Sequence, residues 1–298
     1  MAIQYQFSKE VTIPYVLREL KHFTFPPFER KVASTQIKEP LLCILALNDN
    51  KEIVGVSLAD SDTAKPFSEI ISLYVRPDYQ NQGIGSKLLE MMGKACLAKE
   101  HNEVRMFYRS NWNTRKKVEH ILDKLGWAKP EIIMEIFKSH IREFAKVKWP
   151  VLTSLPDGYS ITLWVDLTEE DQQVIASHMQ QEKTDPYLSP LSNTRNIEKS
   201  NSLILRYKGN PVGWLVSYRN GMDSLEYNNL HIFKAHRKNP RMPMLLLHRA
   251  ISIQLEKNIP ESIWVIGKHH KQMISYIHRF FGEAILDNHQ VKVSIYKG

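Results

Sequence analysis

Glu69-Ile-Ile-Ser-Leu-Tyr-Val75, then Arg76-Pro-Asp-Tyr79, then Gln80-Asn-Gln-Gly-Ile-Gly85, then Ser86-Lys-Leu-Leu-Glu-Met-Met92: this stretch decides how the rest of the chain is read. An apolar run ends in a glycine turn, and an amphipathic helix follows at once. Such a turn aims several backbone N–H groups at one spot, and the helix N-terminus adds partial positive charge there. The guest that fits is a phosphate or pyrophosphate. In the helix, Leu88, Met92 and Cys96 recur every four residues with Leu89 alongside, which predicts one buried stripe.

Working outward, two stretches repeat at one fixed offset. The spacing from Val54-Gly55 to Val212-Gly213 equals that from Leu88-Leu89 to Leu246-Leu247, and Gly126 finds Gly282 with a small slip. Self-similarity over a whole-domain period reads as duplication. Each half predicts the same order of elements. A first strand is followed by helical material (Thr12 to His22; Thr168 to Gln181). A hairpin comes next: Leu41 to Leu47 with Ile53 to Leu58, and Ser202 to Tyr207 with Val212 to Tyr218. It turns at Asn48-Asp-Asn-Lys51 in one half and at Lys208-Gly-Asn-Pro211 in the other. Then come a strand (Glu69 to Val75; Ser224 to Phe233), a helix (Ser86 to Lys99; Met244 to Lys257) and a strand (Val104 to Arg109; Ser262 to Ile266). A last helix (Thr114 to Leu125; Lys271 to Phe281) and a closing strand (Ile132 to Lys138; Val291 to Tyr296) complete each half. The expected fold class is α/β (α+β): two tandem domains, 1–147 and 151–298, each with a mixed, mostly antiparallel sheet flanked by helices. Lys148-Trp-Pro150 to Pro156-Asp-Gly158 reads as the linker, entered through a helical stretch from Ile141 to Val147.

Bulk properties narrow the function classes. The 298 residues suffice for two domains. No apolar run approaches the ~18–20 residues of a membrane helix, and Met1 to Glu10 has no signal-peptide apolar core, so a soluble cytoplasmic protein is expected. Cys43 and Cys96 offer neither a disulfide framework nor zinc spacing. His269-His270 lacks flanking ligands at metal spacing, and no metal is expected. The net charge of +8 suits an anionic ligand. Lys and Arg are scattered rather than striped, so nucleic acid is not the expected partner.

Gln80-x-x-Gly83-x-Gly85, between an apolar strand and an amphipathic helix and followed by Leu125-Gly126-Trp127, resembles the GNAT superfamily of acyl-CoA-dependent N-acetyltransferases. The resemblance covers about residues 40–138; 151–298 share the element order without the motif. It implies acetyl-CoA as cofactor, with the pyrophosphate on the backbone N–H groups of Gln82, Gly83, Ile84, Gly85 and Ser86, and with Gln80 and Asn81 in the cofactor-binding set. It implies a strand that splays at a bulge, freeing Leu73, Tyr74 and Val75 to pair with the pantetheine arm. Asn113 joins the cofactor set, as the nearest residue to the asparagine the family uses. Glu69, fourteen residues before Gly83, falls where several members place the base that takes a proton from the attacking amine. The usual acid, a tyrosine four residues before the glycine of Leu-Gly-aromatic, is here Leu122, which has no proton to give. Tyr108 is the candidate in its place.

In the second half the same offset puts Arg241 on Gly83, Pro243 on Gly85 and Tyr227 on Glu69. Proline has no N–H, so the C-terminal copy is expected to keep the fold without the cofactor site. The resemblance therefore implies an N-acetyltransferase acting on a primary amine, a small molecule before a protein, as a monomer or weak dimer. The alternative is a non-catalytic acyl-CoA-binding or regulatory protein of the same fold.

Overall fold

The strand Leu41–Leu47 is apolar throughout, and the arrangement around it explains why. In a strand, alternate side chains face opposite sides. Leu42, Ile44 and Ala46 pack with Leu88, Leu89, Met92 and Cys96, while Leu41 and Cys43 pack with Val16 and Leu20. Both faces are covered by helix, so alternation disappears from the sequence. A computed structural model describes residues 2–23, 41–99, 101–144, 146–147, 154–184, 188–191, 194, 196–239 and 241–298.

Along the first half run β1 (Gln4–Val11), α1 (Ile13–Glu19), β2 (Leu41–Leu47), β3 (Ile53–Asp60), β4 (Ser68–Val75), α2 (Ile84–Leu97), β5 (Val104–Arg109), α3 (Arg115–Lys124) and β6 (Glu131–His140). The second half runs α4 (Ile141–Phe144), β7 (Tyr159–Leu163), α5 (Glu169–Glu182), β8 (Leu203–Tyr207), β9 (Asn210–Arg219), β10 (Ser224–Ile232), α6 (Met242–Glu256), β11 (Glu261–Gly267), α7 (Lys271–Phe281) and β12 (Ile285–Tyr296). The order expected from sequence stands in both halves. Residues 148–153 of the expected linker lie outside the described residues.

The chain forms two compact units: Met1–Ile133 with Gln290–Gly298, and Met134–His289. They depart from the sequential division 1–147 and 151–298 through an exchange of closing strands. In unit 1 the strand order is β1-β2-β3-β4-β5-β12, and Val291–Tyr296 of β12 pairs antiparallel with Val104–Arg109. In unit 2 the order is β6-β11-β10-β9-β8-β7, and Met134–His140 of β6 pairs antiparallel with β11. Each half thus lends its last strand to the other half's sheet. Each sheet is antiparallel except for one parallel pair, β4 with β5 and β10 with β11.

Side chains fix the exchanged strand in unit 1. Tyr296 stacks on Trp127 with centroids 5.4 Å apart, and Lys292 Nζ donates to Glu119 at 2.9 Å. Val293 is buried. Burying a side chain of this size is worth about 1.5–3 kcal/mol. The unit 2 core is richer in aromatics: Tyr227 stacks on Trp264 at 4.5 Å, and Phe144 meets Phe281 at 4.9 Å.

Candidate functional site

The site begins with a fault in a strand. β4 pairs with β3 through Asp60↔Glu69 and Ala59↔Ile70, then Leu58↔Ser72, so Ile71 is an extra residue. A bulge of this kind bends a strand and increases its twist. On the other side β4 pairs with β5 only from Ser68 to Ile70, against Val104 to Met106. Beyond that point the two strands part. Leu73, Tyr74 and Val75 lie on the parted segment and are half-buried, whereas Ile70, Ile71 and Ser72 are buried.

The turn after β4 is tied down by its own side chains. Arg76 N–H donates to Val54 O at 2.9 Å, and Tyr79 is buried with its hydroxyl accepting from Asn48 Nδ2 at 3.1 Å. Gln80 Nε2 donates to Val75 O at 3.0 Å, and Gln82 Nε2 to Asp78 O at 3.3 Å. Asn81 has φ +62° and Gly83 φ +83°. The left-handed conformation costs other residues roughly 1–2 kcal/mol. Gly83 caps α2 without a side chain, so the first N–H groups of the helix have neither an intrahelical acceptor nor a capping oxygen. A Cβ on Gly83 would meet nothing within 4 Å. The approach to those N–H groups is open.

Charge gathers on the same spot. Lys117, in the first turn of α3, donates from Nζ to Gln80 Oε1 at 3.1 Å. Arg76 is spent on Asp78, at 2.7 Å. Gly85 packs its backbone near Ile121 and Val75, where a Cβ would make ordinary contacts of 3.5 and 3.6 Å. Gly55 is tighter: a Cβ there would lie 2.9 Å from Leu88 Cδ1 and 3.3 Å from Tyr74 O. That glycine lets α2 sit close over β3 and β4, which places the turn.

The candidate proton carriers lie apart from the turn. Glu69 is half-buried near the start of β4, opposite Asp60 and Arg105. It lies six positions before Val75, about 20 Å along the strand at ~3.3 Å per residue. Tyr108 on β5 is 1% exposed, and its hydroxyl donates to Glu119 Oε1 at 3.2 Å. Burial above all, then the Glu119 carboxylate, pushes the phenol above its usual range. Burial pulls the Glu119 carboxyl upward, but Lys292, the Tyr108 hydroxyl and Arg115 together outweigh it and leave the group below the ordinary value. Leu122, at the expected acid position, is buried in the core. Asn113 is exposed in the turn before α3. The structure therefore brings Val75 and Gln80 to Ser86 together with Lys117, and sets Glu69, Tyr108 and Asn113 elsewhere along the parted strands and their turns. The Glu119–Lys292 pair escaped sequence reading because 173 residues separate its members.

Other chemistry is limited. Burial pushes both Cys43 and Cys96 up to about 12, so neither supplies a thiolate nucleophile near neutral pH. Among the described residues no group of three or more His, Cys, Asp or Glu is placed to hold a metal ion. No described helix is long and apolar enough to cross a membrane.

Unit 2 repeats the strand geometry without the cradle. β10 pairs with β11 from Ser224 to Tyr227, and its register against β9 slips between Tyr227 and Asn229. The helix that follows starts behind Arg241, with Pro243 in its first turn. Arg241 N–H already donates to Asn239 Oδ1 at 3.0 Å, and Met242 N–H to Asn239 O at 3.3 Å. Tyr227 is buried and donates to Gln254 Oε1 at 2.8 Å.

Residues 13–116 match the model of the acetyltransferase (GNAT) family. No curated protein matches the sequence. Among solved structures, a tandem GNAT protein from the clavulanic acid biosynthesis pathway superposes with TM-score 0.68 at 11% identity, covering 99% of this chain and 98% of that one. A GCN5-related N-acetyltransferase from Sphaerobacter thermophilus gives TM-score 0.59 at 12% identity, covering 98% and 95%. An acetyltransferase of the GNAT family from Colwellia psychrerythraea gives 0.60 at 9%, covering 98% and 100%. At these identities the likeness is one of fold, and it spans both halves of the chain.

Proposed function

From the match of residues 13–116 to the model of the acetyltransferase (GNAT) family, we propose that this chain belongs to that family and is an acetyl-CoA-dependent N-acetyltransferase acting on a small-molecule primary amine. The observation that carries the reading is the uncapped, unobstructed start of α2 behind Gly83, at the end of a strand that has parted from its neighbour. Such a start suits a diphosphate, and a parted strand edge suits an extended amide-bearing arm. When bound, acetyl-CoA supplies an activated acetyl thioester.

The N–H groups from Gln82 to Ser86 hold the diphosphate, and Lys117 adds charge at its side. Gln80 and Asn81 keep the turn in shape, while the backbone of Leu73, Tyr74 and Val75 orients the arm. Asn113 and Gln82 furnish exposed polar groups at the rim. Glu69, half-buried at the far end of β4, takes the proton that an ammonium must shed before its nitrogen attacks. Attack is direct, because both thiols are buried and protonated. Most of the rate comes from holding two reactants in one geometry. A thiol of pKa ~8.5 departs as thiolate without a strong acid. Tyr108, its proton committed to Glu119, positions α3 against β5 rather than protonating the leaving sulfur.

The test is Ser86→Asp. A carboxylate in the first turn of a helix stabilises it by about 0.3–1 kcal/mol. The same charge beside a diphosphate should weaken acetyl-CoA binding by at least about a hundredfold. Calorimetry and thermal melting should therefore move in opposite directions. Unchanged acetyl-CoA affinity in Ser86→Asp would remove the cofactor assignment. A second reading rests on Leu122: tight acetyl-CoA binding with no thiol released for any amine in a broad panel would make this a binding or regulatory protein.

A further inference from the structure

Unit 2 has a cavity of about 400 Å³ where its own β10 runs past its last β11 partner. Its walls come from Leu230, His231 and Ile232 of β10, from the turn that follows, from Pro243 of α6 and from the end of α5. The volume suits a small molecule. The turn chemistry excludes the diphosphate of unit 1, because Asn239 and Pro243 leave no open N–H cluster.

The lining instead carries two opposed demands. Among the described residues, Glu182 and Thr184 each keep a buried oxygen, Oε2 and Oγ1, without a hydrogen-bond partner. A buried oxygen in this state is destabilising unless something supplies a donor. Glu182 Oε1 is held by Lys234 N–H at 2.8 Å, which fixes the carboxylate in place. Its nearest cation is Arg237, with Nη2 4.0 Å from Oε2; His231 Nε2 stands at 3.9 Å. Burial first, then Arg237, lowers His231 to about 4, so at neutral pH it brings no charge to offset the carboxylate. Toward solvent the sign reverses: Lys183, Lys234 and Arg237 are exposed on the same cavity. A plain anion would satisfy the rim and meet repulsion inside. A plain amine would do the opposite. Leu188, Leu230, Ile232 and Pro243 add an apolar lining to the same cavity.

We propose that unit 2 binds a small zwitterion of the amino-acid type with an apolar side chain, its ammonium toward Glu182 and Thr184 and its carboxylate toward Lys234 and Arg237. The site is independent of the cofactor cradle and does not rest on the proposed activity. The experiment titrates the full-length protein with L-leucine, with isoamylamine (ammonium alone) and with isocaproate (carboxylate alone), by calorimetry and amide NMR shifts. L-leucine saturates, and each amputated analogue binds at least about tenfold more weakly, the loss of one charge-assisted hydrogen bond. Glu182→Gln keeps an oxygen for the Lys234 N–H and loses L-leucine affinity by a similar factor. Ser86→Asp leaves L-leucine binding unchanged. Isocaproate binding as tightly as L-leucine overturns the zwitterion in favour of a simple anion site. Equal binding of isoamylamine, or no saturation by any of the three, overturns the proposal as well. Where Glu182→Gln does not fold, the three ligands on the unaltered protein decide alone.

Discussion

The turn after β4 and the turn after β10 follow the same strand geometry and reach opposite ends. Both strands carry a bulge against one neighbour and a short parallel register with the other. After β4 the chain enters α2 through Gly83 at φ +83°, with open space around it. After β10 it enters α6 through Arg241 and Pro243, with Asn239 taking up the N–H groups. The parted strands belong to the fold, while the anion cradle belongs to a few turn residues. One architecture can therefore carry an open helix start in one unit and, in the other, a cavity of different polarity.

The largest effect should come from cutting the comparison in half. A fragment of residues 1–147 lacks β12, and with it Val293, the Tyr296–Trp127 stack and the Lys292–Glu119 pair. A typical domain has only about 5–15 kcal/mol in hand, so the fragment should lack cooperative unfolding by calorimetry and dispersed amide NMR signals. Adding residues 285–298 as a peptide should restore part of both. A stably folded 1–147 would break the claim that the exchanged strand completes unit 1.

An acid-sensitive staple comes next, in unit 2. Arg206 donates to both oxygens of Asp171 at 2.7 Å, and Asp171 also caps α5 with Thr168. The Arg206 hydrogen bond first of all lowers the Asp171 carboxyl to about 2. A depressed carboxylate stabilises the fold above its unfolded pKa of ~3.9 and loses that contribution as pH falls through the folded value. Urea midpoints at pH 5 and pH 2 should show a loss of about 2 kcal/mol from this group, and Asp171→Asn should flatten that part of the profile.

Tyr227 and Glu69, related by the internal offset, should then fail in different ways. Tyr227→Phe takes one hydrogen bond each from Gln254 Oε1 and Asn201 Nδ2, which keep Ser262 and Ser217 as partners, and should cost about 1 kcal/mol of stability with acetyl transfer unchanged. Glu69→Gln should leave melting unchanged and lower kcat for an amine that arrives protonated. Matching effects from the two variants would erase the functional distinction between the units. Smallest of all is Gly85→Ala, where the added methyl makes ordinary contacts and helix propensity improves by up to ~1 kcal/mol. Thermal melting should rise slightly or stay level.

Local patterns made most of this fold readable. The bounds that the sequence predicts for the helix Lys271–Phe281 coincide with those of α7. α2 begins at Ile84 rather than Ser86, since a left-handed Gly83 admits two residues that a side-chain cap would have excluded. The strand exchange was not readable. Val291–Tyr296 carries the same apolar alternation whichever edge it joins, and only packing against Trp127 and Glu119 selects β5. The cradle was legible because glycines state their backbone needs directly. The commitment of Tyr108 to Glu119, and of Tyr227 to a buried network, depends on partners set far away in sequence.

The shared closing strands also set an order of events during synthesis. The cradle near residue 83 emerges early, yet its sheet stays one strand short until the ribosome has passed residue 296. A chain without Val291–Tyr296 would leave β5 without its antiparallel partner, and Trp127 and Glu119 without the Tyr296 and Lys292 side chains they meet.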